Sequence, residues 1–162
     1  MWLADSEGKS KRISKENVHG FIETSGGILI FVGVAHLTLD SGRVLIAPDT
    51  ITSDSDLKAL VELDGAPEAF VKASADAALV ITTSGISRIT SAGTSERLLH
   101  RKFGILYPNS IVLSPDGVIY ATMRLFVVRL VPHSGEYTEQ WLVPDGCEKF
   151  HKDGFFDCAC SK

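Results

Sequence analysis

Long apolar runs are missing from this chain. The longest, Ile28-Leu29-Ile30-Phe31-Val32-Gly33-Val34-Ala35, stops at His36. That is well short of the ~20 apolar residues a membrane-crossing helix needs. The opening Met1-Trp2-Leu3-Ala4-Asp5-Ser6 has no basic stretch leading into an apolar one, so no secretory leader is expected and the cytoplasm is the expected location. Cysteine is scarce: Cys147, Cys158 and Cys160 are the only three. An odd count near one terminus excludes a disulfide framework and suits reduced thiols. Charge of one sign is not in excess. With 16 Lys+Arg against 20 Asp+Glu the formal net charge is -4, which gives no pull toward nucleic acid or an anionic membrane. A basic protein could still be attracted. The chain contains no G-x-S-x-G elbow, no H-E-x-x-H helix and no P-loop. The glycines of Thr24-Ser25-Gly26-Gly27 lack the G-x-G-x-x-G dinucleotide spacing and read as a hairpin turn.

Long amphipathic helices are nearly absent too, and short β-rich runs take their place. They are Ile28–Val34, Arg43–Ala47, Ala78–Thr83, Ile105–Tyr107, Ser110–Leu113, Val118–Thr122, Phe126–Val131 and Tyr137–Val143. Their valines, isoleucines and aromatics favour a pleated, half-buried backbone. Two kinds of turn recur between them. One is Ser25-Gly26-Gly27, Ala75-Asp76-Ala77, Pro115-Asp116-Gly117 and Lys152-Asp153-Gly154. The other is Ser6-Glu7-Gly8, Asp40-Ser41-Gly42, Ser91-Ala92-Gly93 and His133-Ser134-Gly135. The intervals Gly27–Gly42, Ala77–Gly93 and Gly117–Gly135 span 15, 16 and 18 residues. Each leaves room for two short strands, the rhythm of antiparallel four-stranded modules.

The expected fold is therefore all-β: one domain over residues 1–162, a small β-propeller of about four four-stranded blades. Three blades fall roughly at 17–60, 61–102 and 103–144. The fourth is composite, with 145–162 pairing with 1–16, so that the N- and C-terminal strands close the ring. Half of a larger, dimeric propeller and a β-sandwich are the alternatives. Pro48–Gly65 lengthens the first interval. Within it, Ser53-Asp54-Ser55-Asp56 before Leu57-Lys58-Ala59-Leu60-Val61-Glu62-Leu63 suits either a capped helical turn or an outer strand.

The stretch Tyr107-Pro108-Asn109-Ser110-Ile111-Val112-Leu113-Ser114-Pro115-Asp116-Gly117-Val118-Ile119-Tyr120-Ala121-Thr122 resembles a blade of propellers of the gluconolactonase, strictosidine-synthase and NHL-repeat kind. In such blades Pro-Asn opens the inner strand, a Ser-Pro-Asp-Gly turn follows, and the next strand carries an aromatic. Gly146–Ser161 and Val18–Gly33 echo the pattern, and Glu62–Gly93 echoes its spacing. In the lactonase-like members an asparagine at the head of an inner strand helps hold a divalent cation, and Asn109 occupies that position. The family's glutamate and aspartate ligands have no assigned counterpart here, and its members have more blades than this chain supplies.

In a propeller the heads of the inner strands line one mouth of the central channel. The equivalent positions are near His19, Glu68, Asn109 and Glu148, with Glu23 further along its strand. Carboxylate and amide oxygens there suit a hard cation or a polar ligand, or simply keep the mouth hydrated. At the C-terminus, Cys147, His151, Cys158 and Cys160 offer zinc-type donors. Their C-x3-H-x6-C-x-C spacing matches no standard finger, and burial beside Phe156 accounts for the thiols equally well. His36, His100, His133 and Asp116 can be combined on paper with serines into a triad, but nothing marks one as activated. The basic run Arg97-Leu98-Leu99-His100-Arg101-Lys102 reads as a polar outer strand or as a face for an acidic partner. The expected function is a non-catalytic module that binds a protein or small polar ligand, for example as a toxin-neutralising immunity partner, with no cofactor. The alternative is a metal-assisted hydrolase of lactonase type, with Ca²⁺ or Zn²⁺ at Asn109 and Glu68 or Glu148 as general base. Neither nucleic acid nor membrane is expected as a partner; a homodimer is the oligomeric alternative.

Overall fold

The computed structural model describes residues 1–146 apart from 5, 37–38, 104–105, 125 and 144. Two short strands come first, β1 (Trp2–Ala4) and β2 (Ser10–Arg12), paired antiparallel with each other. Three four-stranded antiparallel meanders follow. The first sheet holds β3 (Val18–Thr24), β4 (Gly27–His36), β5 (Leu39–Ala47) and β6 (Lys58–Leu63). The middle sheet holds β7 (Ala69–Lys72), β8 (Ala77–Thr82), β9 (Gly85–Thr90) and β10 (Ser95–His100). The third holds β11 (Ser110–Leu113), β12 (Ile119–Thr122), β13 (Val127–His133) and β14 (Glu136–Leu142). The repeating four-stranded architecture read from the turns is thus present.

The sheets stack in series, and the middle one is covered on both faces. That is why β8, Ala-Ala-Leu-Val-Ile-Thr, is buried at every position and reads as a continuous apolar run rather than an alternating one. Its even-numbered residues Ala78 and Val80 pack with Leu29, Phe31 and Val44 of the first sheet. Its odd-numbered Leu79 and Ile81 pack with Ile111, Ile119, Ala121, Val128 and Leu130 of the third. Phe31 is fully buried and stacks on Phe70 with ring centroids 4.2 Å apart. A third apolar cluster, Ile30, Val32, Leu45 and Ala47, lies on the outward face of the first sheet beside Met1 and Ile51.

The expected ring of four blades is corrected by these pairings. There are three separate four-stranded sheets, and among the described residues no strand pairing joins one to another or closes them into a ring. The N-terminal pair stands as its own two-stranded sheet. Its backbone groups are satisfied locally: the Ile13 and Ser14 amides donate to Met1 O (3.1 and 3.4 Å), and the N-terminal ammonium donates to Ser14 O at 2.9 Å. These bonds continue the β1–β2 hairpin by one residue at Met1. Most of the segment meant to supply that strand, residues 147–162, lies outside the described residues. The dimeric half-ring would use the same terminal segments, of which residues 147–162 lie outside the described residues. The β-sandwich needs two facing sheets, whereas here three stack in series.

Two local readings also change. Asp40-Ser41-Gly42 is not a turn; it lies inside β5, with Gly42 opposite Gly33 of β4. In 48–65 both readings hold a share: a single 3-10 turn at Asp54–Asp56 precedes the edge strand β6. The Thr52 and Ser53 amides donate to Asp56 Oδ2 at 2.7 and 3.0 Å, and these bonds hold its carboxyl below the usual range. Of the expected strand Ile105–Tyr107, Leu106 and Tyr107 are not in a strand, and Tyr107 has a φ of 49°.

Candidate functional site

Three of the residues named at the strand heads occupy equivalent places in the repeat. The Glu68 amide, just before β7, donates to Ile81 O at 2.9 Å, and the Asn109 amide, just before β11, donates to Thr122 O at 3.0 Å. His19 sits at the matching point of β3, inside a register shift between Val18 and Gly20. The extra residue of a bulge re-aims its side chain, and His19 Nε2–H donates to Gly33 O at 3.2 Å. Asn17 Nδ2 donates to the same carbonyl at 2.9 Å.

These residues do not all act together. His19 and Glu68 lie within electrostatic reach of each other, and Asp40 joins them from β5. Partial burial is the main reason that the Glu68 carboxyl sits above its ordinary range; the neighbouring Asp40 carboxylate pushes the same way and His19 opposes. Asn109 is engaged separately: its Oδ1 accepts the Thr122 hydroxyl at 2.6 Å. Glu148 lies outside the described residues, as do Cys147, His151, Cys158 and Cys160. Among the described residues no group of three His, Cys, Asp or Glu side chains is placed to hold a metal ion.

Sequence reasoning missed Asp40, because its Asp-Ser-Gly context resembles a tight turn. In the folded chain Asp40 ties the first sheet to the segment leading into the middle one. Its Oδ1 accepts the Ala66 amide at 2.6 Å, and its Oδ2 accepts the Thr83 hydroxyl. Beside it, Arg97 of β10 pairs with Asp64 and donates from Nη1 to Ser84 O at 3.2 Å, while Ser84 Oγ donates to Asp64 O at 3.0 Å. The expected outer strand with basic residues is β10, but Arg97 turns inward to this junction. Arg101, just beyond β10, lies 3.6 Å from Glu139 and over the Trp141 ring at 5.2 Å. A polar cavity of about 150 Å³ adjoins the rim through Gly33 and Asn17; Glu16, Arg43 and Glu62 also line it, and Arg43 is ion-paired with Glu16.

The triad candidates have other occupations or none. The Ser114 hydroxyl donates to Asp116 Oδ1 and lowers its pKa. Ser74 and Asp76 repeat that device at the equivalent turn, with an Oγ···Oδ1 distance of 2.6 Å. His133 ends β13 opposite Glu136, and His100 ends β10 in an exposed position.

No family model and no curated protein matches the chain. Solved structures do. It is similar to virginiamycin B lyase from Staphylococcus aureus, with 19% identity and a TM-score of 0.56, over 90% of this chain and 49% of that one. It is also similar to a functionally unknown protein from Desulfotomaculum acetoxidans, with 15% identity and a TM-score of 0.53, over 83% of this chain and 43% of that one. A third is the extracellular domain of a hybrid two-component system from B. thetaiotaomicron, with 16% identity and a TM-score of 0.53, over 88% and 20%. The chain spans half or less of each of these solved chains. At such identities the likeness shows the fold alone: a small all-β domain of several four-stranded antiparallel sheets.

Proposed function

We propose that this chain is a non-catalytic binding module whose rim at His19, Glu68 and Asp40 receives a cationic or polar group from a protein or small ligand. The observation that carries the reading is the state of Glu68. Its carboxylate is partly withdrawn from water, and among the described residues no hydrogen bond is made to it. A carboxylate in that position gains from an incoming ammonium or guanidinium. Asp40 is already committed to Ala66 and Thr83, which leaves Glu68 as the acceptor. The net charge of -4 favours the approach of a basic partner. Among the described residues no helix is long and apolar enough to cross a membrane.

The test is calorimetric titration with arginine- and lysine-containing peptides, for the wild type and for Glu68→Gln. Binding that disappears with the substitution, and that weakens as pH falls through the Glu68 titration, supports the reading. No binding, or binding equal in both proteins, removes it.

A further inference from the structure

Charge is unevenly divided along the chain. From Arg97 to Gly135 there are five lysines or arginines and one acidic residue, Asp116, although the whole chain is acidic. Asp116 lies in the turn between β11 and β12, at the far end of those strands from Asn109. Lys102 and Arg124, both exposed, lie instead at the end that carries Glu68 and Asp40. Backbone hydrogen bonds trace the connection. The Phe103 amide donates to Thr83 O at 2.8 Å, the Leu106 amide to Phe103 O at 3.0 Å, and the Arg124 amide to Leu106 O at 3.1 Å. Thr83 is the residue whose hydroxyl reaches Asp40.

The Arg124 guanidinium carbon stands 4.5 Å over the centre of the Tyr107 ring. Such stacking holds the plane of the cation and leaves its N–H edge for a partner. Among the described residues that edge has no hydrogen bond or ion pair. Tyr107 is held in this contact against its own backbone preference. Its φ of 49° is left-handed, which costs a bulky residue free energy, and the Pro108 that follows favours an extended backbone there. Ser134 shares a positive φ because it sits with Gly135 in the β13–β14 hairpin, where the turn demands it. Tyr107 is in no hairpin, and its ring is 51% exposed, so burial of the ring does not offset the strain. Two residues on, Asn109 accepts the Thr122 hydroxyl at Oδ1, which leaves its Nδ2 hydrogens as further donors.

We propose that Arg124, seated on Tyr107, is a carboxylate-binding position on the rim, and that the ligand is dipolar, with its carboxylate at Arg124 and its cationic group at Glu68. The pairing of the two rests on the reading of Glu68 as the cation acceptor; the carboxylate position does not. A planar carboxylate matches the two-pronged edge of a guanidinium. β11 packs beside β7, and packed sheets lie about 10 Å apart. Less the reach of the two side chains, that is a distance which a single basic residue with its own free carboxylate spans.

The full chain is titrated with N-acetylglycine while the arginine Nε–H signals are followed by NMR. The Arg124 signal should shift and saturate; that of Arg88, exposed on β9, should not. Tyr107→Phe keeps the ring and should keep the affinity. Tyr107→Gly removes the ring at no cost in φ and should weaken binding about two- to fivefold, with circular dichroism showing the fold intact. Inorganic phosphate, tetrahedral rather than planar, should bind more weakly. In calorimetry, a short acetylated peptide ending in arginine should bind about tenfold tighter with a free carboxylate than as its amide. Arg124→Gln should remove that preference and leave the affinity of the amide unchanged; Glu68→Gln should weaken both. An Arg124 signal that does not respond, or phosphate bound as tightly as N-acetylglycine, overturns the carboxylate position. Acid and amide peptides bound alike by the wild type, beside a responsive Arg124, overturn the dipolar ligand. An amide peptide bound equally by the wild type and Glu68→Gln removes the Glu68 reading and leaves the carboxylate position standing.

Discussion

Adding one methyl group at Gly42 tests how the first two sheets are joined. Gly42 and Gly33 face each other across β5 and β4, and the segment Gly65-Ala66-Pro67 lies against the gap they leave. A Cβ at Gly42 would meet Gly65 O, with Pro67 Cδ at 2.9 Å and Ala66 Cα at 3.1 Å. Most of these are backbone or ring atoms, so relief requires the connecting segment to move. Overpacking of this kind costs about 1–3 kcal/mol. The lower chain entropy of unfolded alanine returns about 0.4–1 kcal/mol. Gly42→Ala should therefore destabilise by about 1–2 kcal/mol. Urea unfolding should show a lower midpoint with an unchanged slope, and the melting temperature should fall by about 2–8 °C at this chain length. At Gly33 a Cβ would meet Pro67 Cδ and Ser41 O, each at 2.7 Å. Gly33→Ala should behave alike, and the double variant should lose less than the sum, since both push on the same Ala66–Pro67 segment. A Gly42→Ala protein as stable as the wild type would refute the close approach and, with it, this account of the junction.

Phe31→Ala empties the stack on Phe70 at the centre of the first interface and should cost about 3–5 kcal/mol by urea unfolding. Asp40→Ala strands the amide of fully buried Ala66 and should cost about 1–3 kcal/mol, with faster hydrogen exchange at that amide. Glu68 titrates above its ordinary 4.5 in the folded protein. Its contribution to stability is thus full below pH 4.5 and is lost as pH rises through the folded value. Glu68→Gln should accordingly gain stability over the wild type across that window and hold a constant difference above it. Ser114→Ala removes the main cause of the low Asp116 pKa, so the carboxyl midpoint should climb toward 3.8 in an NMR titration.

The strands most legible in the sequence are those whose residue types agree with their surroundings. Ile28–Val32 and Ala78–Ile81 are apolar throughout because both faces of β4 and β8 are covered there by other residues. β3 and β10 gave weaker signals: Phe21 faces outward, and Ser-Glu-Arg-Leu-Leu-His has no clean alternation. Asp40-Ser41-Gly42 misled because the residues that suit a tight turn also suit a strand that must lose a side chain to admit Ala66 and Pro67. The places of His19 and Glu68 at strand heads were legible from their spacing in the repeat. Asp40, which shifts Glu68, stands 28 residues away from it in the chain, and no local pattern connects them.

By itself, the sequence determined the all-β character, the tight hairpins and the recurrence of four-stranded modules. Each of these follows from backbone preferences and alternation acting over a few residues. The tertiary structure alone decided that the N-terminal strands pair with each other as a separate two-stranded sheet, that Asp40 and Arg97 serve the junction between sheets, and that Met1 and Ile51 pack on the outward face of the first sheet. Those outcomes depend on competition among distant partners for the same edge, carbonyl or apolar surface, and such competition is settled only when the sheets stack.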